Sequence, residues 1–157
     1  MLQGIYMALN DDIRLLSQLP LFHGMGDEPL RLIAFGADRR HVTEGQTLFR
    51  EKSPAECAYV VTRGSFELST IDNAGQKQVE AVIQAGTMLS ELAMVTLVER
   101  KYTAVAAEES DVIRITRALF HRLIEEYPDA GLLIQNRIRE NFATLARQTA
   151  ALLGRFS

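Results

Sequence analysis

The sequence has 157 residues, of which 47% are hydrophobic and 24% are charged, and its formal net charge is −3. This composition is ordinary for a globular protein and excludes whole-chain disorder, a collagen-like repeat and a disulfide-rich scaffold. The acidic balance provides no overall basic surface for nucleic acid. The single cysteine, Cys57, cannot form an intrachain disulfide and fits a reducing compartment, and we expect residues 1–157 to form one domain.

No targeting or membrane-spanning segment is expected. The first basic residue is Arg14, so the N-terminal segment lacks the positive region of a signal peptide. The most apolar long stretch, residues 81–98, contains Gln84, Gly86 and Glu91 and is a poor candidate for a helix that spans a bilayer. These features predict a cytoplasmic protein with no membrane partner.

Residues 1–37 are predicted to contain two short helices. The first covers residues 11–19, and it ends before Pro20 because proline disfavours helical geometry in the residue before it. The second begins near residues 26–29, since acidic side chains and an early proline, Pro29, are typical of a helix N-terminus.

Between residues 38 and 116 the pattern changes to short apolar or alternating runs separated by turn residues. The predicted strands are residues 40–42, 47–49, 58–62, 65–71, 77–83, 102–106 and 111–115. Residues 72–75 are predicted to form a hairpin loop in which Gly75 adopts a positive φ. Many short strands without long intervening helices indicate a mainly β sandwich or barrel and argue against a parallel α/β sheet.

Residues 117–157 return to helical spacing. Thr116 is a candidate N-cap for a helix over residues 117–126, and a long helix is predicted over residues 129–153, ended by Gly154. Steps of four and three alternate in this long helix along the apolar residues Ile138, Phe142, Leu145 and Leu152 once Thr149 is added to the series. Such spacing favours a homodimer seam, and packing of the helix on the chain's own barrel is the alternative.

Residues that could support catalysis or bind a metal ion are scattered along the sequence. His23, His41 and His121 lie far apart, and there is no H-x-H pair of the kind that a cupin-type β-barrel metalloenzyme needs. Cys57 has no neighbouring base, and neither a G-x-S-x-G nucleophile motif nor a P-loop occurs. We therefore expect no enzymatic activity, no metal site and no cofactor.

One segment, residues 86–103, carries the features of a ligand site. A turn at Gly86 leads into an apolar strand and then to Ser90, which can cap a one-turn helix that has Glu91 in its first turn. Free N–H groups at a helix start favour anions, and Arg100 in the next strand suits a phosphate group through two parallel N–H bonds. Because a carboxylate accepts hydrogen bonds from sugar hydroxyls, the segment favours a ligand with one phosphate and one ribose.

The sequence resembles the cyclic nucleotide-binding domain family, which includes catabolite activator-type regulators, regulatory subunits of kinases and sensor domains of ion channels. Residues 81–106 are similar to the family's phosphate-binding cassette, F-G-E-L/I-A-L-x(4)-P-R-x-x-T. Further similarity covers residues 19–22, 45–49, 58–64 and 66–68. The resemblance implies a mainly β fold, an antiparallel β-roll (a double-stranded β-helix jelly roll) over residues 38–116. Short N-terminal helices (1–37) and C-terminal helices (117–157), one of them long, would flank it.

The same resemblance assigns roles to residues of the cassette. It implies that Glu91 binds the ribose 2′-hydroxyl and that Arg100 binds the cyclic phosphate. The backbone amides around Leu92 and Ala93 would complete the phosphate cradle.

Several positions depart from the family pattern, and Leu89 takes the place of its aromatic residue. Ser90 occupies a glycine position, Glu99 occupies the proline position, and Lys52 stands where a turn glycine is common. Lys101 and Tyr102 replace small residues and add charge and bulk at the pocket floor. We count Ser90, Lys101 and Tyr102 among the expected ligand contacts, although strand alternation predicts that only one of the last two faces the pocket.

The sequence therefore predicts a sensor that binds cAMP or cGMP and transmits the ligand state through its C-terminal helices. Asn136, Arg137 and Asn141 are candidate polar contacts of a helix that closes over the base. The alternatives are a degenerate fold acting as a ligandless dimerisation or protein-interaction module, and the sensor half of a truncated catabolite activator-type transcription regulator. Because residues 155–157 are all that follow the long helix, we expect no helix-turn-helix and no DNA binding by this chain alone.

Overall fold

The computed structural model describes the backbone of residues 2–156 and the side chains of residues 9–148. This part of the chain contains four α-helices, which are α1 (Leu2–Gln18), α2 (Asp27–Gly36), α3 (Arg117–Glu126) and α4 (Pro128–Phe156). Its ten strands are β1 (Asp38–Val42), β2 (Thr47–Phe49), β3 (Pro54–Ala55), β4 (Cys57–Arg63), β5 (Ser65–Ile71), β6 (Lys77–Gln84), β7 (Met88–Leu89), β8 (Val98–Glu99), β9 (Thr103–Ala106) and β10 (Ser110–Thr116). Pro20–Phe22 and Glu91–Met94 are 3-10 turns.

The strands pair antiparallel in three sheets. Two four-stranded sheets have the orders β1-β10-β4-β7 and β2-β9-β5-β6, and β3 pairs with β8. Inner side chains of both larger sheets form one apolar cluster, so these sheets enclose the interior of the roll. This arrangement confirms the predicted antiparallel β-roll with flanking helices.

Strand β4 divides two hydrophobic cores. Cys57, Tyr59 and Val61 face the core inside the roll, whereas Ala58 and Val60 face the core between the roll and the helices. Successive side chains of a strand point to opposite faces, so a strand buried on both faces reads as a continuous apolar run. The sequence of β4 therefore places one sheet between the roll interior and the helical layer.

The C-terminal helices pack closely on one another and on the N-terminal segment. A Cβ atom on Gly131 of α4 would lie 2.6 Å from Cγ1 of Ile124, so glycine permits the close approach of α3 to α4. Arg137 donates from Nη1 to the carbonyl oxygens of Leu21 (3.0 Å) and His23 (2.7 Å). These bonds fix the first half of α4 over the turn that follows α1.

Two local predictions are confirmed. The Thr116 hydroxyl accepts a hydrogen bond of 3.1 Å from the Leu119 N–H, so Thr116 caps α3. Gly75 has a φ of +79° in the loop that joins β5 to β6, as the hairpin requires. The residue types at these two positions were sufficient to identify their backbone roles.

The bounds of several elements differ from the prediction. Helix α1 begins at Leu2 instead of residue 11, and α4 extends beyond Gly154 to Phe156. Both helices continue through a glycine, Gly4 or Gly154, because one interior glycine costs a helix only about 1 kcal/mol. Strands β3 and β8 were not predicted, since two residues are too few to show alternation. The apolar strand expected before Ser90 is β7, whereas Arg100, expected within the next strand, follows the end of β8.

Candidate functional site

The predicted cassette lies along the edge of the roll. Strand β7 pairs with β4, with Leu89 opposite Tyr59 and Met88 opposite Val60, and the 3-10 turn Glu91–Met94 follows. Ala93 and Met94 of this turn are buried against the rest of the fold. The cassette is therefore attached to the sheet through β7 and to the interior of the protein through these two buried side chains.

Arg117 at the start of α3 anchors the cassette from the helical side. Its Nη1 atom donates to the carbonyl oxygens of Thr96 (3.1 Å), Ala93 (3.2 Å) and Ala55 (3.4 Å). Arg117 was not predicted as a functional residue, because an arginine in the first turn of a helix gives no sequence signal for carbonyl groups that are distant in the chain. The bonds link the position of α3 directly to the geometry of the cassette.

Ser90 adopts a left-handed backbone conformation, with φ at 61° and ψ at 43°. Its side chain makes no capping hydrogen bond, so the expectation of a Ser90 side-chain cap is wrong. Its carbonyl oxygen instead accepts a bond of 2.9 Å from the Ala93 N–H. A left-handed backbone costs a non-glycine residue roughly 1–2 kcal/mol, which gives the physical reason for a glycine at this position in the family pattern.

A cavity of about 560 Å³, which we call the main cavity, lies between the roll, the cassette and α4. Its apolar walls include Phe49 and Leu89 of the roll and Ile138, Phe142 and Leu145 of α4. The polar part of the lining comes from the cassette side and consists of Ser90, Glu91, Glu99, Lys101 and Tyr102. An amphipathic ligand with its polar end toward the cassette matches this division.

Five of the seven predicted site residues line the main cavity, and these are Ser90, Glu91, Leu92, Lys101 and Tyr102. Lys101 and Tyr102 both line it, so the expectation that only one would do so is wrong. They form a bend before β9 begins at Thr103, and strand alternation does not apply there. Ala93 is buried under the cassette, and its N–H is used in the bond to Ser90.

Arg100 does not line the main cavity. It lines a second cavity of about 250 Å³, which we call the small cavity, and Phe49 lines both. The Arg100 guanidinium carbon lies 4.5 Å from the ring centroid of Phe49 and 5.2 Å from that of Tyr59. Its Nη2 atom lies 3.6 Å from Cys57 Sγ. Arg100 is 5% exposed, and cation–π contacts hold its charge among the two rings.

Two ionisable groups beside Arg100 have perturbed pKa values. Burial raises the pKa of the Tyr59 hydroxyl, and the nearby Cys57 raises it further. A hydrogen bond to Cys57 raises the pKa of the Arg114 guanidinium against the opposing effect of burial. Tyr59 therefore stays neutral and Arg114 stays cationic at physiological pH.

The three polar residues suggested for the start of α4 have different surroundings. Asn141 donates from Nδ2 to Glu91 Oε1 at 3.1 Å, across the edge of the cassette. Arg137 instead bonds the Leu21 and His23 carbonyls, and Asn136 is exposed. Asn141 is therefore the residue of the three that links α4 to the predicted ligand site.

The apolar series of α4 is divided between internal and exposed positions. Ile138 is 1% exposed within the helical core, while Phe142 and Leu145 are about half exposed. Ile138, the first residue of the predicted dimer seam, therefore packs in the chain's own core and is not available to a second copy. The side chains of Thr149 and Leu152 lie outside the described residues.

The described residues hold neither a metal-binding cluster nor a membrane-spanning helix. They contain no group of three or more His, Cys, Asp or Glu side chains arranged to hold a metal ion. None of the helices within residues 2–156 combines the length and the hydropathy needed to cross a bilayer.

The chain is similar to proteins that share the architecture described above. The family model described as the cyclic nucleotide-binding domain matches residues 39–127. A solved structure of a cyclic nucleotide-binding-like protein from Brucella abortus is 39% identical, with a TM-score of 0.68, and the match covers 73% of this chain and 98% of that one.

Two curated relatives match over most of this chain but extend well beyond the match. The cyclic AMP receptor protein of Thermus thermophilus is 27% identical over 125 residues, which are 77% of this chain and 58% of the receptor. The lysophospholipase NTE1 of Chaetomium globosum is 27% identical over 122 residues, which are 78% of this chain and 8% of that protein. With the family match over more than half of its length, the chain belongs to the cyclic nucleotide-binding domain family.

Proposed function

We propose that this chain is a non-enzymatic sensor module that binds a cyclic nucleotide, cAMP or cGMP, in the main cavity. The observation that carries the proposal is the position of the cassette, whose Glu91 and Lys101 line one side of a cavity covered by α4. The name of the Thermus relative, cyclic AMP receptor protein, supports the same ligand class. A cytoplasmic location, expected from the single cysteine, is part of this proposal.

The lining suggests how the parts of the ligand are held. The Glu91 carboxylate accepts hydrogen bonds from the ribose hydroxyl, and the Phe142 ring and Leu145 cover the base. Lys101 is the cation that lines the cavity as it stands. The Arg100 guanidinium carbon lies 4.5 Å from the ring centroid of Phe49, which lines both cavities, so in this proposal a movement of the Phe49 side chain brings Arg100 to the phosphate.

The contact between Asn141 and Glu91 provides a route from ligand to output. A ribose hydroxyl on Glu91 competes with Asn141 for the same carboxylate, so ligand binding weakens the attachment of α4 to the cassette. A ligand shifts a conformational equilibrium only through such differential contacts. In this proposal, the half-exposed Phe142 and Leu145 on α4 transmit the change to a second copy, which would make the module a homodimer through residues 129–153.

A second candidate is a ligandless dimerisation or interaction module with the same fold. The observation that favours it is the location of Arg100 outside the main cavity, whose charged lining is two carboxylates, Glu91 and Glu99, against one ammonium, Lys101. Without Arg100, such a lining provides little net electrostatic attraction for a cyclic phosphate anion. In either case we propose that the chain has a regulatory role, and its match to 8% of a protein named lysophospholipase NTE1 is compatible with a module of a larger protein.

Calorimetric titration with cAMP and with cGMP, combined with sedimentation of the same sample, tests the proposal. We expect saturable heat with at least one nucleotide, and a loss of about tenfold or more in affinity for Arg100→Ala, since a hydrogen bond to a charged group contributes about 1.5–3 kcal/mol. Arg63→Ala removes an exposed guanidinium on β4 and is the matched control. The ligandless candidate instead predicts no heat and no thermal shift at millimolar nucleotide.

A further inference from the structure

A groove on the helical side of the molecule lies between the cassette, α3 and α4. We call it the helical groove, and its volume is about 420 Å³. Most of its lining is formed by Met94 and Val95 of the cassette, Ala118 and Ile124 of α3, and Gln135 of α4. Among the described residues, none that lines this groove also lines the main cavity or the small cavity. Its largely apolar lining suits the apolar side chains of a partner.

Two large apolar side chains lie exposed beside the helical groove. Leu97 is 80% exposed, and it follows Thr96, whose carbonyl oxygen accepts a hydrogen bond from Arg117 in the groove lining. Leu132 is 50% exposed and lies on the same side of α4 as Gln135, because residues three positions apart in a helix are neighbours. Exposed apolar side chains that adjoin an apolar groove extend it into a surface of the kind that binds other proteins.

The ionisable residues that line the helical groove are basic. They are Arg117 and His121, and Arg139 lies one helical turn beyond Gln135 on α4. Glu125 Oε1 lies 3.1 Å from His121 Nε2, so it offsets that side chain. Arg117 donates to backbone carbonyl oxygens, and Arg139 is exposed and forms no ion pair within the described part of the chain. Two guanidinium charges therefore remain beside the groove without a carboxylate partner.

We propose that the helical groove is a docking site for an acidic amphipathic segment of a partner protein. The apolar side chains of the segment pack against Val95, Ala118 and Ile124. Its carboxylates lie beside Arg117 and Arg139. Apolar contacts supply most of the affinity in such grooves, and complementary charge selects the partner and speeds association. This site goes beyond the proposed function, since it requires no nucleotide and lies apart from the main cavity.

Selection from a random peptide library displayed on phage, carried out on the full chain without nucleotide, tests this site. Ala118 is exposed, so Ala118→Glu adds a carboxylate to the groove without filling the core. We expect enriched peptides to combine acidic with large apolar residues. Their affinity should fall about tenfold or more for Ala118→Glu, because like charges placed together in an interface are strongly unfavourable. Ala74→Glu, at an exposed alanine in the β5–β6 loop, is the matched control and should bind like the original chain.

A synthetic copy of an enriched peptide separates the contribution of charge from that of the apolar contacts. Its affinity, measured by fluorescence anisotropy, should fall about two- to fivefold for Arg139→Gln, the usual range for an exposed ion pair. Arg147→Gln removes another exposed guanidinium from α4 and should leave the affinity unchanged. A peptide with amides in place of its carboxylates should bind more weakly and should not distinguish Arg139→Gln from the original chain.

Four results would overturn the docking site. The first two are a selection that enriches no sequence and a selection whose enriched peptides carry no excess of acidic residues. The third is equal affinity of an enriched peptide for Ala118→Glu and the original chain. The fourth is self-association of the original chain that Ala118→Glu abolishes in sedimentation, which would assign the groove to a second copy. None of these results depends on whether a cyclic nucleotide binds.

Discussion

Asn141 Nδ2 donates a hydrogen bond of 3.1 Å to Glu91 Oε1, and this bond joins the long helix α4 to the cassette. Glu91 lines the main cavity and is the residue to which the resemblance assigns the ribose. The helix and the proposed ligand therefore use the same carboxylate group. Because of this competition, substitution of Asn141 on the helix should change the affinity of the cavity for its ligand.

Asn141→Ala should raise the affinity for a cyclic nucleotide about two- to fivefold, because an exposed hydrogen bond lies at the weak end of the usual range of about 0.5–1.5 kcal/mol. Titration calorimetry of the variant and the original chain measures the change. Asn136→Ala, an exposed position on the same helix, is the matched control. An affinity that falls in Asn141→Ala would show that Asn141 contacts the ligand and does not compete with it.

Ser90→Gly should stabilise the fold by about 0.5–1 kcal/mol, because glycine avoids the left-handed penalty of roughly 1–2 kcal/mol but loses more entropy on folding. The free energy of unfolding in urea measures this difference. Ser90→Ala keeps the Cβ atom and should give no such gain. Equal stabilities of the glycine and alanine variants would contradict the explanation from φ at Ser90.

Gly131→Ala should destabilise the fold by about 1–3 kcal/mol, the usual cost of overpacking, although alanine is the better helix former. The added methyl group would lie 2.6 Å from Ile124 Cγ1 and 2.8 Å from Ile124 Cα, so α3 and α4 must move apart. Thermal or urea unfolding measures the loss. In an Ile124→Ala background the same substitution should cost less, and an identical cost in both backgrounds would rule out the Ile124 contact as the cause.

His41 should make stability depend on pH. Its hydrogen bonds to Asp111 (2.8 Å) and Glu109 (3.2 Å) raise the pKa of the imidazole in the folded chain above 6.5. A raised folded pKa stabilises the fold fully below the unfolded pKa, and this contribution is lost as pH rises through the folded pKa. Urea unfolding between about pH 6 and 8 should therefore show a decline that is smaller in His41→Gln. An unchanged decline in the variant would assign it to another group.

The β-roll could be predicted because its signals are local. Strand β5 was predicted with the observed bounds, and β4 was predicted one residue short at each end, since their apolar runs end at turn residues such as Gly64. The cap at Thr116 and the loop at Gly75 depend on residue type alone. The ends of α1 and α4 could not be predicted, because one glycine in a helix does not decide where the helix ends.

The cassette residues could be identified from spacing, but their orientation could not. Arg100 is turned toward Tyr59 and Cys57 of β4, about forty residues earlier in the chain, by contacts that a single sequence does not reveal. Lys101 and Tyr102 both face the main cavity because the chain bends before β9. Ile138 has the spacing of a seam residue but is used by the chain's own core.

The Phe49 ring forms part of the surface of both cavities, so the two spaces share one wall. An occupant that changes the rotamer of Phe49 alters the shape of both spaces at once. A molecule that entered the small cavity and a ligand of the main cavity would therefore change each other's affinity by the same factor, because coupling between two sites is reciprocal. One aromatic side chain thus couples the shapes of two separate spaces in this small fold.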